Sequence, residues 1–139
     1  MAKVLRIPYS IIGGNPQTVM PRFSLKLSNG QQSLEVNGLV DSGSALNVIP
    51  YTVGYNLGFI WEQQVVPIRL GGVYSGIDAR GIFVSASHSI LTENQSVDMV
   101  FAWANSDRVS VVFGRTNFFQ EFDVCFFGAD EIFEITHRE

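Results

Sequence analysis

Apolar and polar residues alternate along much of this chain with the two-residue period of β-strands. In residues 22–28 every second position is apolar, which is typical of a strand with one face on the core and the other in water. The pair Asn29-Gly30 follows and favours a tight hairpin, because a type I′ turn needs positive φ at both central residues. A returning strand is therefore expected over residues 32–36.

The remaining apolar segments have the length and spacing of further strands. Strands are predicted over residues 65–70, 77–88, 97–103, 109–113, 123–127 and 132–135, with turns at 37–38 and 128–130. Two segments favour short helices instead: Pro50 opens the first and Gly58 closes it, and residues 114–122 contain the second. Many short strands at this spacing predict an all-β domain, either a small closed barrel or a sandwich.

The length of 139 residues fits one domain over 1–139, with a core over about 20–136. Hydrophobic residues make up 46% of the chain and charged residues 16%, which favours a packed core over disorder. A net charge of -4 without a Lys/Arg cluster disfavours nucleic-acid binding. No stretch reaches the ~18 apolar residues of a membrane span, and no signal peptide is evident. A soluble, cytoplasmic protein is expected.

Cysteine and histidine usage limits the chemistry further. The single cysteine, Cys125, excludes an internal disulfide framework, and its apolar neighbours over residues 122–127 predict a buried, unreactive thiol. His88 and His137 lack acidic partners at metal-ligand spacing, so neither a metal site nor a cofactor is predicted.

One acidic residue stands in a distinctive position. Asp41 follows Leu39-Val40 and precedes Ser42-Gly43. The aliphatic pair would fix a strand in the core and hold the carboxylate at its end, while the glycine would let a substrate or another backbone approach. A carboxylate held there is costly and is typical of a functional group. An ordinary Asp-Ser-Gly turn is the alternative.

Three segments, in this order, resemble the retropepsin-type aspartic proteases: residues 39–43, a glycine-rich hairpin at 70–77, and the Val-Phe-Gly-Arg segment at 112–115. In that family an Asp-Thr/Ser-Gly motif precedes a flap hairpin and then a Gly-Arg pair before a short helix. Residues 47–50 also resemble the stretch after the family's catalytic loop. The resemblance covers about residues 20–135 and implies a closed acid-protease barrel with a flap hairpin and one or two short helices, active as a homodimer.

The resemblance also implies a role for each motif residue. It implies catalytic roles for Asp41, Ser42 and Gly43, substrate contacts for Ala45, Gly72, Val73, Tyr74, Ser75 and Gly76, and structural roles beside the active site for Gly114 and Arg115. The chain has a single Asp-Ser/Thr-Gly, so a second copy would supply the second carboxylate across a two-fold axis. Arg115 departs from the retroviral pattern, because Ala45 stands where its acidic partner is expected. Arg115 is therefore expected to bond backbone carbonyls or to pair elsewhere.

Together these expectations describe an aspartic endopeptidase that cuts peptides or unfolded protein segments with a water held between two Asp41 carboxylates. The alternative is a non-catalytic peptide-binding or dimerisation module on the same barrel. A small-ligand β-barrel is a third possibility, but it would leave the Asp-Ser-Gly pattern unexplained.

Overall fold

The computed structural model of the chain describes residues 2–11 and 19–138. Its strands are β1 (Val4–Pro8), β2 (Arg22–Asn29), β3 (Gln32–Val40), β4 (Asn47–Ile49), β5 (Pro67–Arg69), β6 (Asp78–Ser87), β7 (Val97–Ala104), β8 (Val112–Phe113), β9 (Phe122–Phe127) and β10 (Ile132–His137). Its α-helices are α1 (Tyr51–Asn56) and α2 (Phe118–Glu121). None of the helices in these ranges is long and apolar enough to cross a membrane.

Six strands form a closed barrel in the order β2-β3-β8-β4-β7-β6, because β6 also pairs with β2. Strand β5 extends the sheet beyond β6. The predicted β2–β3 hairpin forms, but its two turn residues are Gly30 and Gln31, because Asn29 still pairs with Gln32. Only Gly30 of the predicted Asn29-Gly30 pair has a positive φ, of 60°, so the expected type I′ turn at this pair was wrong. Closure removes the free edges of an open sheet. The barrel confirms the all-β prediction of a small closed barrel.

A second, three-stranded sheet has the order β1-β10-β9. Its buried residues Phe133 and Ile135 belong to the same hydrophobic cluster as the barrel core. Helix α2 joins the two parts, since the ring of Phe118 stacks on Phe113 of the barrel at 4.8 Å and on Phe122 of the sheet at 4.9 Å. The sheet and the barrel therefore share one continuous aromatic core.

Two local predictions were wrong because distant contacts override them. Strand β3 continues through the turn predicted at residues 37–38. Gly38 is needed there for packing, since an added Cβ would lie 2.5 Å from the ring of Phe113. The strand predicted over 109–113 is reduced to β8. The short helix predicted within residues 114–122 is present as α2, and it begins only at Phe118 because backbone groups of residues 115 and 116 bond another loop.

The prediction of a buried thiol at Cys125 was also wrong. Only one face of the three-stranded sheet lies on the core, and along β9 side chains alternate between its two faces. Phe122 is buried and Val124 is half-buried, whereas Asp123 and Cys125, which alternate with them along the strand, are exposed. An apolar run at the edge of a sheet therefore does not bury every residue in it.

His88 stabilises the turn after β6 in its neutral form. Its Nδ1 accepts hydrogen bonds from the N–H groups of Ile90 and Leu91, both at 3.1 Å, and its ring stacks on Phe23. Burial lowers the pKa of His88 below its usual value of 6.5, and the negative charge of Glu35 only partly opposes this shift. Protonation of Nδ1 would remove the acceptor from both hydrogen bonds.

We expect the chain to lose stability as the pH falls below about 6.5, the usual His pKa. The folded-state pKa of His88 lies below the unfolded value, so the unfolded chain binds the proton first. This contribution is fully present above the unfolded pKa and is lost as the pH falls through the folded one. Urea unfolding of the wild type and His88→Asn at several pH values measures it. The variant keeps an acceptor and should show a flatter pH dependence; an unchanged slope would contradict the assignment.

Candidate active site

Asp41 lies directly after the end of β3, at the edge of the barrel core. The backbone N–H groups of Leu39 and Asp41 donate to the carbonyls of Val111 and Phe113, each at 3.0 Å. These bonds fix the end of β3 alongside β8. The Asp41 side chain is half-buried, and its Oδ1 accepts a hydrogen bond from the N–H of Gly43 at 2.9 Å. One carboxylate oxygen is thus held within its own loop.

A second loop clamps the loop that carries Asp41. We call residues 41–46 the Asp41 loop and residues 114–117 the Gly114 loop. The N–H of Arg115 donates to the carbonyl of Ser44, and the N–H of Thr116 to that of Ala45, both at 2.9 Å. The Arg115 guanidinium Nη1 donates to the carbonyl of Ser42 at 3.1 Å. The arginine that lacks its acidic partner therefore bonds a backbone carbonyl, one of the two alternatives predicted for it.

A buried asparagine joins the clamp to the barrel. Asn47 is fully buried, and its Oδ1 accepts a hydrogen bond from the N–H of Gly114 at 2.8 Å. Its Nδ2 donates to the carbonyl of Val100 at 2.9 Å and to Oδ1 of Asn117 at 3.4 Å. Asn117 in turn bonds the N–H of Val100 and the carbonyl of Asp98. The two amides connect β4, β7 and the Gly114 loop.

Neither Asn47 nor Asn117 was predicted from the sequence to have a role. The available signal was a polar residue at the head of the apolar segment over 47–49, where burial requires hydrogen-bond partners. Asn117 carried no comparable signal. It stands just before a short helix, where a polar residue is common and does not indicate a particular role.

Gly114 is in contact with the Asp41 loop through its Cα. A Cβ at this position would collide with the carbonyl oxygen of Leu46 and would lie 2.7 Å from that of Ser44. Both are backbone atoms and cannot rotate away as a side chain would. The two loops can approach this closely only because residue 114 has no side chain.

We expect Gly114→Ala to lower the free energy of unfolding by about 3 kcal/mol, the upper range for overpacking a rigid site. The methyl group must push the two loops apart and break their shared hydrogen bonds. Urea denaturation measures the loss. Gly128→Ala is the matched control, because nothing lies within 4 Å of a Cβ added there. Equal stability of the two variants would contradict the close approach.

The hairpin of β5 and β6 lies where the flap was predicted, and the strand pair Arg69↔Asp78 closes its loop. We call residues 67–80 the flap hairpin. Gly72, Val73, Ser75 and Gly76 are exposed, with Val73 at 92%. Tyr74 is half-buried instead, and its hydroxyl accepts a hydrogen bond from the N–H of Ser110 at 3.1 Å. Tyr74 thus anchors the hairpin to the segment before β8, and Val73 rather than Tyr74 extends into solvent.

One cavity lies between the flap hairpin and the Asp41 loop, and a second lies along the hairpin alone. The smaller, of about 110 Å³, brings Ala45 and Ser44 together with Tyr74 and Arg69. The larger, of about 620 Å³, runs along the hairpin past Ser75 and shares Arg69 with the first. Ala45 and Tyr74, two predicted substrate contacts, therefore face one space although they are far apart in the sequence.

This chain is similar to known proteins in structure but not in sequence. No family model matches the sequence, and no curated protein gives a significant match. Among solved structures, a retropepsin-like aspartic protease from Rickettsia conorii is similar, with a TM-score of 0.64 and 11% identity over 97% of this chain and 91% of that one. EIAV protease bound to an inhibitor has a TM-score of 0.56 and 15% identity over 76% of this chain and 90% of that one.

A third similar structure is the retroviral protease-like domain of Ddi1 from Leishmania major. It has a TM-score of 0.54 and 12% identity over 86% of this chain and 96% of that one. At such low sequence identity, these similarities show the fold alone. All three structures have the same fold. The chain has the retropepsin-like fold.

Proposed function

We propose that this protein is an aspartic endopeptidase whose active site forms between two copies of the chain. The observation that carries the proposal is Asp41, held at the end of a barrel strand in a loop that a second loop clamps. Asp41 is the only acid in the sequence followed by Ser-Gly or Thr-Gly. A two-fold axis beside the Asp41 loop would bring two such carboxylates together.

The paired carboxylates would act as acid and base. Like charges a few ångström apart cannot both ionise, so the pair shares one proton, as is known for the dyad of aspartic proteases. The ionised Asp41 takes a proton from a water molecule, which attacks the scissile carbonyl carbon. The protonated Asp41 of the second copy donates its proton to the carbonyl oxygen, giving a gem-diol. Proton transfer to the amide nitrogen then breaks the C–N bond, and two peptides leave.

The substrate would be an extended peptide between the Asp41 loop and the flap hairpin. The exposed tip of the flap hairpin, with Gly72, Val73, Ser75 and Gly76, would lie over such a peptide and exclude water from it. The apolar walls of the smaller cavity, Leu46, Val48 and Leu70, suit an aliphatic side chain. Arg69 adds one positive charge, and it is the only charged residue among the described residues that line this cavity.

We expect Arg69 to favour peptides with an acidic side chain near the scissile bond. Arg69→Ala should lower kcat/KM for an Asp- or Glu-containing peptide about fivefold, the magnitude of one exposed ion pair. The matched Gln-containing peptide should be cut equally well by both proteins. Competition between the two peptides, followed by mass spectrometry, measures the ratio. Arg69→Lys should retain the preference; loss of both substrates alike would contradict a role in selectivity.

The test of the proposed function is incubation of the purified protein with a diverse peptide mixture from about pH 4 to 7, because activity that needs one shared proton depends on pH. New peptide termini are read by mass spectrometry, with Asp41→Asn as the matched control. Cleavage that requires Asp41 would support the proposal. Peptide binding without cleavage, by a dimer verified in the same sample, would replace it with the non-catalytic module.

A further inference from the structure

Exposed apolar side chains lie together on the outer face of the barrel, beside the flap hairpin. Phe83 is 77% exposed and Val66 is 56% exposed. A Cβ added to Gly81 would lie 3.7 Å from Cγ1 of Val66 and 3.6 Å from Cδ1 of Ile68, so both side chains lie on the face to which residue 81 points. Phe83 shares that face, because alternate residues of a strand point the same way. Large exposed side chains in one patch are typical of a binding surface.

The register of β6 and β7 extends this surface across the next strand. Phe83 pairs with Val100, which is half-buried, and Gly81 pairs with Ala102. Directly opposite residues share a face. The following pair, Ser85↔Asp98, is polar and ends the surface. We call this surface the apolar strip, and its residues are Val66, Ile68, Gly81, Phe83, Val100 and Ala102.

The other end of the apolar strip continues beneath the flap hairpin. Ala79, the next residue of β6 on this face, is buried with Ala102 and Leu70 in a hydrophobic cluster separate from the barrel core. Ala79 and Ile68 also line the cavity of about 620 Å³. That cavity shares Leu70 with the smaller cavity, which Ala45 lines. The apolar strip is therefore continuous with the space in which the substrate would lie.

The backbone beneath the apolar strip is not available to a ligand. Strands β6 and β7 pair with neighbours on both sides, and within the described residues β5 pairs only with β6. The N–H of Gly81 donates to the carbonyl of Val66 at 2.9 Å. Bonded and non-bonded pairs alternate, so Pro67 turns its backbone to the open edge of β5, where it has no N–H to donate. A ligand would therefore bind through apolar side chains and not as an added strand.

We propose that the apolar strip binds a second, apolar segment of the same polypeptide that is cut at Asp41. This inference rests on the proposed function and narrows its substrate class. A folded protein buries most of its large apolar side chains, whereas an unfolded chain presents them in extended form. The preferred substrates are therefore unfolded polypeptides with an apolar segment some residues away from the scissile bond.

The position of the apolar strip suits a segment that is already attached to the bound peptide. Phe83 lies four residues beyond Ala79 on β6, which corresponds to about 13 Å of strand. An extended substrate covers the same distance with about four residues. Because the rest of the substrate is held in the cleft, contact with the strip is intramolecular, and a weak apolar contact is enough to raise the affinity.

Matched extended peptides test the proposal. A peptide cut in the mixture is extended, at either end, by a Gly-Ser spacer of about four residues and then by Leu-Phe-Leu or, in the reference peptide, Ser-Asn-Ser. The apolar extension should lower KM about tenfold, the effect of burying roughly 60 Å² of apolar surface. The value of kcat should not change, because the extension is bound equally in the ground and transition states. Equal KM values for both peptides at both ends would overturn the proposal.

Threonine variants locate the binding surface. Phe83→Thr and Val66→Thr should each reduce the preference for the apolar extension to about twofold, while threonine suits a strand and keeps the fold. Val65→Thr is the matched control. Val65 is 84% exposed and lies on the opposite face, where it lines a separate cavity with Pro67 and Arg80. It should keep the tenfold preference. Equal losses in Val65→Thr and Val66→Thr, or full preference in Phe83→Thr, would overturn the assignment.

Failure of the apolar strip and failure of the proposed function give different results. Fluorescence anisotropy of the two labelled peptides on Asp41→Asn protein measures binding without cleavage. Tighter binding of the apolar peptide that Phe83→Thr abolishes, with no cleavage by the wild type, would support the strip and contradict the peptidase. Asp41-dependent cleavage without any preference would support the peptidase and overturn the strip. If Phe83→Thr changes sedimentation of the protein alone but not peptide affinity, a second copy covers the strip and the proposal is overturned.

Discussion

Asp41→Asn is expected to reduce peptide hydrolysis by on the order of 10³-fold, the scale of lost general acid–base catalysis. Asparagine has the shape of aspartate, and its Oδ1 can still accept the hydrogen bond from the N–H of Gly43. It cannot take a proton from water, so the chemical step fails while the loop stays in place. Initial rates on a peptide found in the mixture measure the loss. Thermal unfolding of both proteins shows that the fold is unchanged.

Mixing the two proteins shows whether each chain supplies one carboxylate. With equal amounts and free exchange, about one quarter of the dimers contain two wild-type chains. Activity per wild-type chain should then fall to about one half, because a mixed dimer has a single Asp41. Activity that stays proportional to the wild-type chain alone would contradict a shared site, although it would leave a role for Asp41 intact.

Asn47→Ala is expected to lower the free energy of unfolding by about 3 kcal/mol, because truncation leaves buried hydrogen-bonding groups without partners. The N–H of Gly114 would lose its acceptor and the carbonyl of Val100 one of its donors. Asn47 itself is fully buried, so water does not readily replace its amide. Urea denaturation measures the change, and activity should fall with it because Asn47 holds the Gly114 loop.

Two companion variants separate hydrogen bonding from packing at this site. Asn47→Asp keeps the size but replaces the Nδ2 donor with an oxygen that faces the carbonyl of Val100 and Oδ1 of Asn117. It should be at least as destabilising as alanine. Asn37→Ala, at an exposed position of β3, should change stability by less than about 0.5 kcal/mol. A stable Asn47→Asp protein would show that the amide network is dispensable.

Much of the barrel was predictable because strands leave a short-range pattern in the sequence. Period-two alternation predicted β2, and apolar runs of strand length predicted β6 and β7, all within a few residues of their bounds. The errors share one cause. Gly38 and Cys125 were interpreted from their neighbours in sequence, whereas the ring of Phe113 and the position of β9 in its sheet decide their environments.

The candidate site was predictable to the extent that short motifs carry it. The motifs located the Asp41 loop, the Gly114 loop and the flap hairpin. They could not show that Asn47 reaches Val100 and Asn117, which are 53 and 70 residues away. They also gave no reason for the Tyr74 hydroxyl to bond the N–H of Ser110. Such contacts depend on how the barrel closes, which no local window contains.

The clamp between the Asp41 loop and the Gly114 loop has a consequence for evolution. Two of its hydrogen bonds join main-chain N–H and C=O groups, which every residue except proline supplies alike. Side chains at Ser44, Ala45 and Thr116 can therefore change without weakening these bonds, whereas Gly114 and Asn47 cannot. Lineages that keep this architecture are free to diverge until overall similarity disappears. Distant relatives should be sought by the spacing of a few such fixed positions.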